Sequence, residues 1–178
     1  VSPSLYTVDI TADELTGHTI SEVGPSGVAA GFSAGIDSFC LLLDHFWNPV
    51  PPSFRITHLL YHNVGAHGVG GRPRFVERYN TLAPAAAEIG LPFIAIDSNI
   101  HEVLDLGGFQ RTHTLRNVSA VMALQKLIGR FYYASTFKYE DCFVGDTYDM
   151  AYTDPTAVHL LSSEKTECIS SGCQYSRV

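Results

Sequence analysis

The feature that most constrains this chain is an apolar run without a polar face that passes, through three very small residues, into helix-forming sequence. Residues 28–32 read Val-Ala-Ala-Gly-Phe, a composition suited to a strand covered on both faces. Ser33, Ala34 and Gly35 break the run, and Asp37 and Ser38 then precede the mainly apolar residues 39–47, which Asn48, Pro49 and the Pro51, Pro52 pair terminate. A strand buried on both sides belongs inside a sheet, so this segment predicts a strand–turn–helix unit. Such a turn gathers unpaired backbone N–H groups, the Ser33 and Ser38 hydroxyls and the positive end of a helix dipole in one small volume. That is an anion site, and phosphate is the anion it suits best. An ordinary helix start capped by Asp37 or Ser38 is the alternative that these residues leave open.

The same alternation continues along the chain. Residues 55–61, 91–96, 131–135 and 157–161 read as further strands, and residues 72–89 and 115–127 as helices, the first of these with Pro84 inside it. Strands alternating with helices predict a three-layer α/β fold, a mainly parallel five-stranded sheet with helices on both faces. In such sheets ligands settle beyond the carboxyl ends of the strands, where this sequence places Ser33, Asn63 and Asp97.

Length and charge narrow the function. A chain of 178 residues suits one domain, and a stretch at 5–10 within residues 1–23 reads as an extended N-terminal segment, part of a preceding region. The net charge of -7 and the lack of a Lys/Arg block argue against a broad nucleic-acid-binding face. No apolar run is long enough to span a membrane and no secretion signal opens the chain, so a cytoplasmic protein is expected. Only 16% of residues are charged, below the usual quarter, and the chain runs from Val1 to Val178 without an initiator Met. Together these predict a fragment of a longer protein, truncated at its C-terminal end, whose charge-poor surface meets a second copy or a further domain. Four unevenly spaced cysteines do not form the framework of a small secreted domain; Cys168 and Cys173 are candidates for a redox or metal-binding pair.

The loop lacks the lysine of the common triphosphate-binding loop and has too few glycines for the dinucleotide fingerprint. Ser33-Ala34-Gly35-Ile36-Asp37-Ser38 instead resembles the pyrophosphate loop, Ser-Gly-Gly-x-Asp-Ser, of the N-type ATP pyrophosphatases in the adenine-nucleotide alpha-hydrolase-like superfamily, whose fold is HUP/Rossmann-like. Ala34 departs from that pattern. The resemblance implies that residues 24–178 form a nucleotide-binding domain of a synthetase or amidotransferase-like enzyme. It would bind ATP and Mg2+, adenylate an acceptor whose identity the sequence does not specify, and release pyrophosphate. Residues 33–38 would hold the phosphates, while Leu59, Leu60 and Asn63 would lie near the base and ribose. Asp37 and Asp97 are the candidate magnesium ligands, and Asp37 and Arg116 the candidate catalytic residues, Arg116 offsetting the developing charge with Arg111, Lys165 and Arg177 as rivals. The acidic element that several members carry after the fourth strand is replaced by Ser135 and Thr136. With Ala34, that replacement favours the alternative, a nucleotide-binding or sensing module without catalysis.

Overall fold

Five strands form one sheet: β1 (Gly27–Gly31), β2 (His58–Asn63), β3 (Phe93–Asp97), β4 (Ile128–Ala134) and β5 (Glu167–Ser171), in the order β3-β2-β1-β4-β5. Each of its four pairings is parallel. The computed structural model describes residues 24–103 and 108–175, so the N-terminal segment and Arg177 lie outside the described residues.

Helices cover both faces. On one, α1 (Ile36–Leu42), which runs on into a π-helical turn over Leu43–Trp47, and α2 (Arg72–Ile89) bury Leu41, Leu42, Leu82 and Ala86 against Val28, Ala30, Leu59 and Tyr132. On the other, α4 (Phe109–Met122) buries Val118 and Val121 against Ala29, Leu60, Ile128 and Phe131. The short α3 (Ile100–Val103) lies between β3 and α4. The fold is therefore a three-layer α/β sandwich with a parallel sheet, as the alternation predicts. Pro84 neither splits nor ends α2, which continues to Ile89 and is stopped by Gly90 in the left-handed conformation, φ 81°.

Two assignments are corrected. Residues 157–161 are not a strand: α5 (Asp154–Ala157), opened by Pro155, and a 3-10 turn over Val158–Leu161 occupy this stretch. Val158 is buried and Leu161 packs on the same cluster, while His159 and Leu160 are exposed, a spacing of three that suits a turn. The fifth strand is Glu167–Ser171, an edge strand with little apolar alternation. The helix read at 115–127 instead spans Phe109–Met122; its inward stripe is Thr114, Val118 and Val121, with a polar first member, and Leu115 faces outward. Among the described residues no helix is long and apolar enough to cross a membrane.

Candidate functional site

β1 pairs with β2 on one side and β4 on the other, although β4 follows β3 in the chain. The strand order therefore reverses at β1, and a crevice opens beyond the carboxyl ends at this switch point. A cavity of about 230 Å³ occupies it. Gly31, Phe32, Ser33, Asp37 and Ser38 form one wall; Leu60, Tyr61 and His62 come from β2, Asn117 from α4, and Phe131 to Ala134 from β4.

Of the loop read from sequence, Ser33, Asp37 and Ser38 line the cavity, while Ala34, Gly35 and Ile36 are not among its lining residues. Gly35 is the N-cap of α1, and no side chain caps this end. The Ser38 hydroxyl donates to the Gly35 carbonyl at 2.8 Å, and the Gly35 amide points at Ser33 Oγ, 3.4 Å away. The capped-helix alternative is thus corrected: Asp37 and Ser38 lie in the first turn, leaving that turn's amides without the oxygen of a cap.

Ala34 has φ 53°, the one positive value at a non-glycine among the described residues. An alanine there costs about 1–2 kcal/mol of steric strain. Glycine would adopt this conformation at residue 34 without that strain. Ala34→Gly is expected to stabilise the fold by about 0.5–1 kcal/mol, the relieved strain less the extra freedom of the unfolded chain, read from urea denaturation.

The other sequence-derived candidates divide. Leu60 lines the cavity, while Leu59, Asn63, Asp97 and Arg116 are not among its lining residues. Asn63 donates to Asp97 Oδ1 at 2.7 Å, and Arg72 pairs with Asp97 Oδ2 at 2.9 Å. Arg116 is buried, donating through Nε to Thr112 Oγ1 at 2.8 Å and through Nη1 to the Val64 carbonyl at 3.3 Å. Arg111 is exposed in the first turn of α4. Cys168 belongs to the apolar core under α4 and the 3-10 turn, whereas Cys173 contacts Ser170, so the two cysteines serve different surroundings. Among the described residues no group of three or more His, Cys, Asp or Glu side chains is placed to hold a metal ion.

The wall under α4 carries polar groups that the sequence reading passed over. Asn117 Nδ2 donates to the His113 carbonyl at 2.8 Å, which turns Asn117 Oδ1 toward His62 Nδ1, 3.0 Å away. An amide oxygen accepts, so His62 carries its proton on Nδ1 and leaves Nε2 bare. Nε2 is buried with no hydrogen-bond partner among the described residues. Burial lowers the pKa of this imidazole to about 4, outweighing the hydrogen bond to Asn117, and the ring is neutral near pH 7.

Beside it runs a carboxylate–imidazole–phenol chain. His113 Nε2 lies 3.0 Å from Asp149 Oδ1, and His113 Nδ1 lies 2.8 Å from the Tyr133 hydroxyl. The carboxylate holds the proton on Nε2, so Nδ1 accepts from the phenol. Burial, reinforced by the Asp154 carboxyl, raises the Tyr133 pKa well above its ordinary value, and the phenol remains protonated. A group in the crevice that gives a proton to the Tyr133 oxygen can pass the phenol proton to His113, where Asp149 stabilises the imidazolium. One signal for these residues lay in β2, which runs two residues past the reading at 55–61 and carries His62 on the same face as Leu60.

No protein-family model, curated protein or solved structure matches the chain, so its α/β fold and the crevice at the sheet's switch point are what characterise it.

Proposed function

We propose that this domain binds ATP with its phosphates on the backbone of residues 33–38 and activates an acceptor as its adenylate, releasing pyrophosphate. The observation that carries the reading is the uncapped first turn of α1 at the rim of the switch-point crevice. Magnesium fits as a companion of the triphosphate rather than as a resident ion. It retains waters and takes one or two carboxylates beside the phosphate oxygens, and Asp37 is the acidic residue that lines the cavity. Catalysis would rest on positioning and on stabilising charge at the phosphates.

A second reading, binding without turnover, draws support from Arg116, whose guanidinium serves the Val64 carbonyl and Thr112. No lysine or arginine is among the lining residues of the crevice. Both readings require the loop.

Calorimetric titration of the full chain with ATP, with and without Mg2+, tests them. At Gly35 a Cβ would meet only Ser33 Oγ, at 3.3 Å, a tight contact that rotation of the serine side chain relieves, and a branched side chain there would crowd the amides assigned to phosphate. Gly35→Val is expected to weaken ATP binding by at least about a hundredfold, of the order lost when several backbone contacts to a charged group fail together, with little change in the unfolding midpoint. Unchanged affinity would remove the loop from the function. Asp37→Asn should weaken binding with Mg2+ more than without it. Release of pyrophosphate on supplying an acceptor separates the enzyme from the binding module.

A further inference from the structure

Gly31 opens the floor of the crevice beside Tyr133. It follows Ala29 at the two-residue spacing of a strand and so faces α4, as Phe131 and Tyr133 do from β4, one position beyond the Ala30–Tyr132 pair. A Cβ at Gly31 would meet nothing within 4 Å, so the half-buried Tyr133 flanks open space in the same cavity that Ser33, Asp37 and Ser38 line. The hydrogen-bond count at the phenol leaves room for one more donor. Its own proton goes to His113 Nδ1, and the single hydroxyl proton of Thr114 goes to Asp154 Oδ1 at 2.7 Å rather than to the phenol oxygen at 3.4 Å. The Asn117 side chain, which also interacts with the phenol, takes at most one of the oxygen's two lone pairs. Behind the phenol, Asp149 Oδ1 accepts from both His113 Nε2 and the Ala151 amide, which fixes the carboxylate that a protonated His113 needs.

We propose that Tyr133, His113 and Asp149 form a proton relay that deprotonates the acceptor, and that the acceptor is therefore an uncharged group bearing an ionisable O–H or N–H rather than a carboxylate. The inference rests on the adenylation reading above and deepens it. As the acceptor oxygen bonds to the α-phosphorus and the bond to the leaving pyrophosphate breaks, the acceptor's proton passes to the Tyr133 oxygen and the phenol proton to His113 Nδ1. The phenol ends as it began, and the charge gained by the imidazole lies against Asp149. Burial of the phenol favours this coupled transfer over a free phenolate. A carboxylate acceptor has no proton to give. It would also bring a further negative charge into a crevice that no lysine or arginine among the described residues lines. Tyr133 is the catalytic residue of the relay, and His113 and Asp149 are positioning residues that act through it.

Long-range proton–nitrogen NMR of the full chain labelled at histidine nitrogen reads the relay without turnover. In its neutral form the His113 ring is expected to carry its proton on Nε2; a proton on Nδ1 overturns the proposal, because the phenol then has nowhere to pass its own. Water, an uncharged acceptor with a proton to give, is the probe for turnover. With ATP and Mg2+ alone the wild type is expected to release pyrophosphate, with a solvent deuterium isotope effect on kcat. Tyr133→Phe, which removes only the hydroxyl, is expected to lower kcat about a hundredfold or more while leaving KM for ATP nearly unchanged, as loss of a proton-transfer group does. Asp149→Asn keeps an oxygen for Ala151 and removes the charge, and is expected to lower kcat by at least about tenfold, again at nearly constant KM. Acetate is expected not to speed the release. Acetate that speeds it equally in the wild type and in Tyr133→Phe overturns the proposed class of acceptor. An unchanged kcat in Tyr133→Phe overturns the relay while leaving adenylation standing, whereas ATP bound without any release of pyrophosphate overturns both and leaves binding alone. A wild-type chain that binds no ATP removes the loop's function as well.

Discussion

Between about pH 5 and pH 8 the fold is expected to lose about 3 kcal/mol of stability through one carboxyl group, and Asp154→Asn to abolish that loss. Asp154 is fully buried, accepts a hydrogen bond from Thr114 Oγ1 at 2.7 Å through Oδ1, and has no partner for Oδ2 among the described residues. Burial raises its pKa to about 7, against the opposing hydrogen bond from Thr114, with a further upward contribution from Asp149. In the unfolded chain the same group titrates near its ordinary value of about 4. Between those values the folded protein holds a proton that the unfolded chain has released. Stability therefore falls as pH rises from about 4 to about 7 and levels off above the folded pKa, by about 1.4 kcal/mol per pH unit within the window. Asparagine reproduces the neutral acid in shape and keeps an oxygen for Thr114. The difference in urea-unfolding free energy between wild type and Asp154→Asn should be small near pH 4 and should grow by about 3 kcal/mol in favour of the variant between pH 5 and pH 8, to about 4 kcal/mol in total. Taking the difference removes every other titrating group. A constant difference across that range would show that Asp154 is ionised in the fold throughout.

The Gly129→Ala substitution is expected to cost about 3 kcal/mol or more, read from urea denaturation. Between β1 and β4 the register steps from Gly27 opposite Ile128 to Val28 opposite Arg130, so Gly129 is the extra residue of a bulge. A Cβ at Gly129 would lie on the Pro25 carbonyl oxygen, far inside van der Waals contact, and the obstacle is backbone that no rotamer change removes. The bulge sets how β4 leaves β1, and hence where the crevice between their carboxyl ends opens. Gly31 supplies the contrast. It lies at the other end of β1 and lines the cavity, yet a Cβ there meets nothing within 4 Å. Gly31→Ala should therefore leave the urea midpoint close to that of the wild type. If both variants unfold alike, the close approach at residue 129 is not what limits the pairing.

The layer architecture was legible in the sequence because apolar runs and helical stripes record burial directly. Residues 28–32 admit only a covered strand, and the stripe through Phe75, Leu82 and Ala86 places α2 against the sheet. The loop at 33–38 was legible for a related reason: small residues between a buried strand and a helix allow little but a tight turn. The same local record misled at residues 157–161, where apolar side chains suit a strand or a packed turn equally, and it missed β5, whose position at the sheet edge requires little apolar alternation. The polar groups in and behind the crevice wall were beyond local reading. His62, His113, Asn117, Tyr133 and Asp149 come from β2, α4, β4 and the turn that leads into α5, and each alone is an ordinary polar residue. Their protonation depends on partners up to 55 positions away, as for His62 and Asn117, and on burial that exists only once the layers have closed. Sequence by itself determined the sheet's covering layers and the tight turn after its first strand. The tertiary structure decided what faces that turn, because hydrogen bonding and desolvation between residues distant in the chain are properties of the assembled fold.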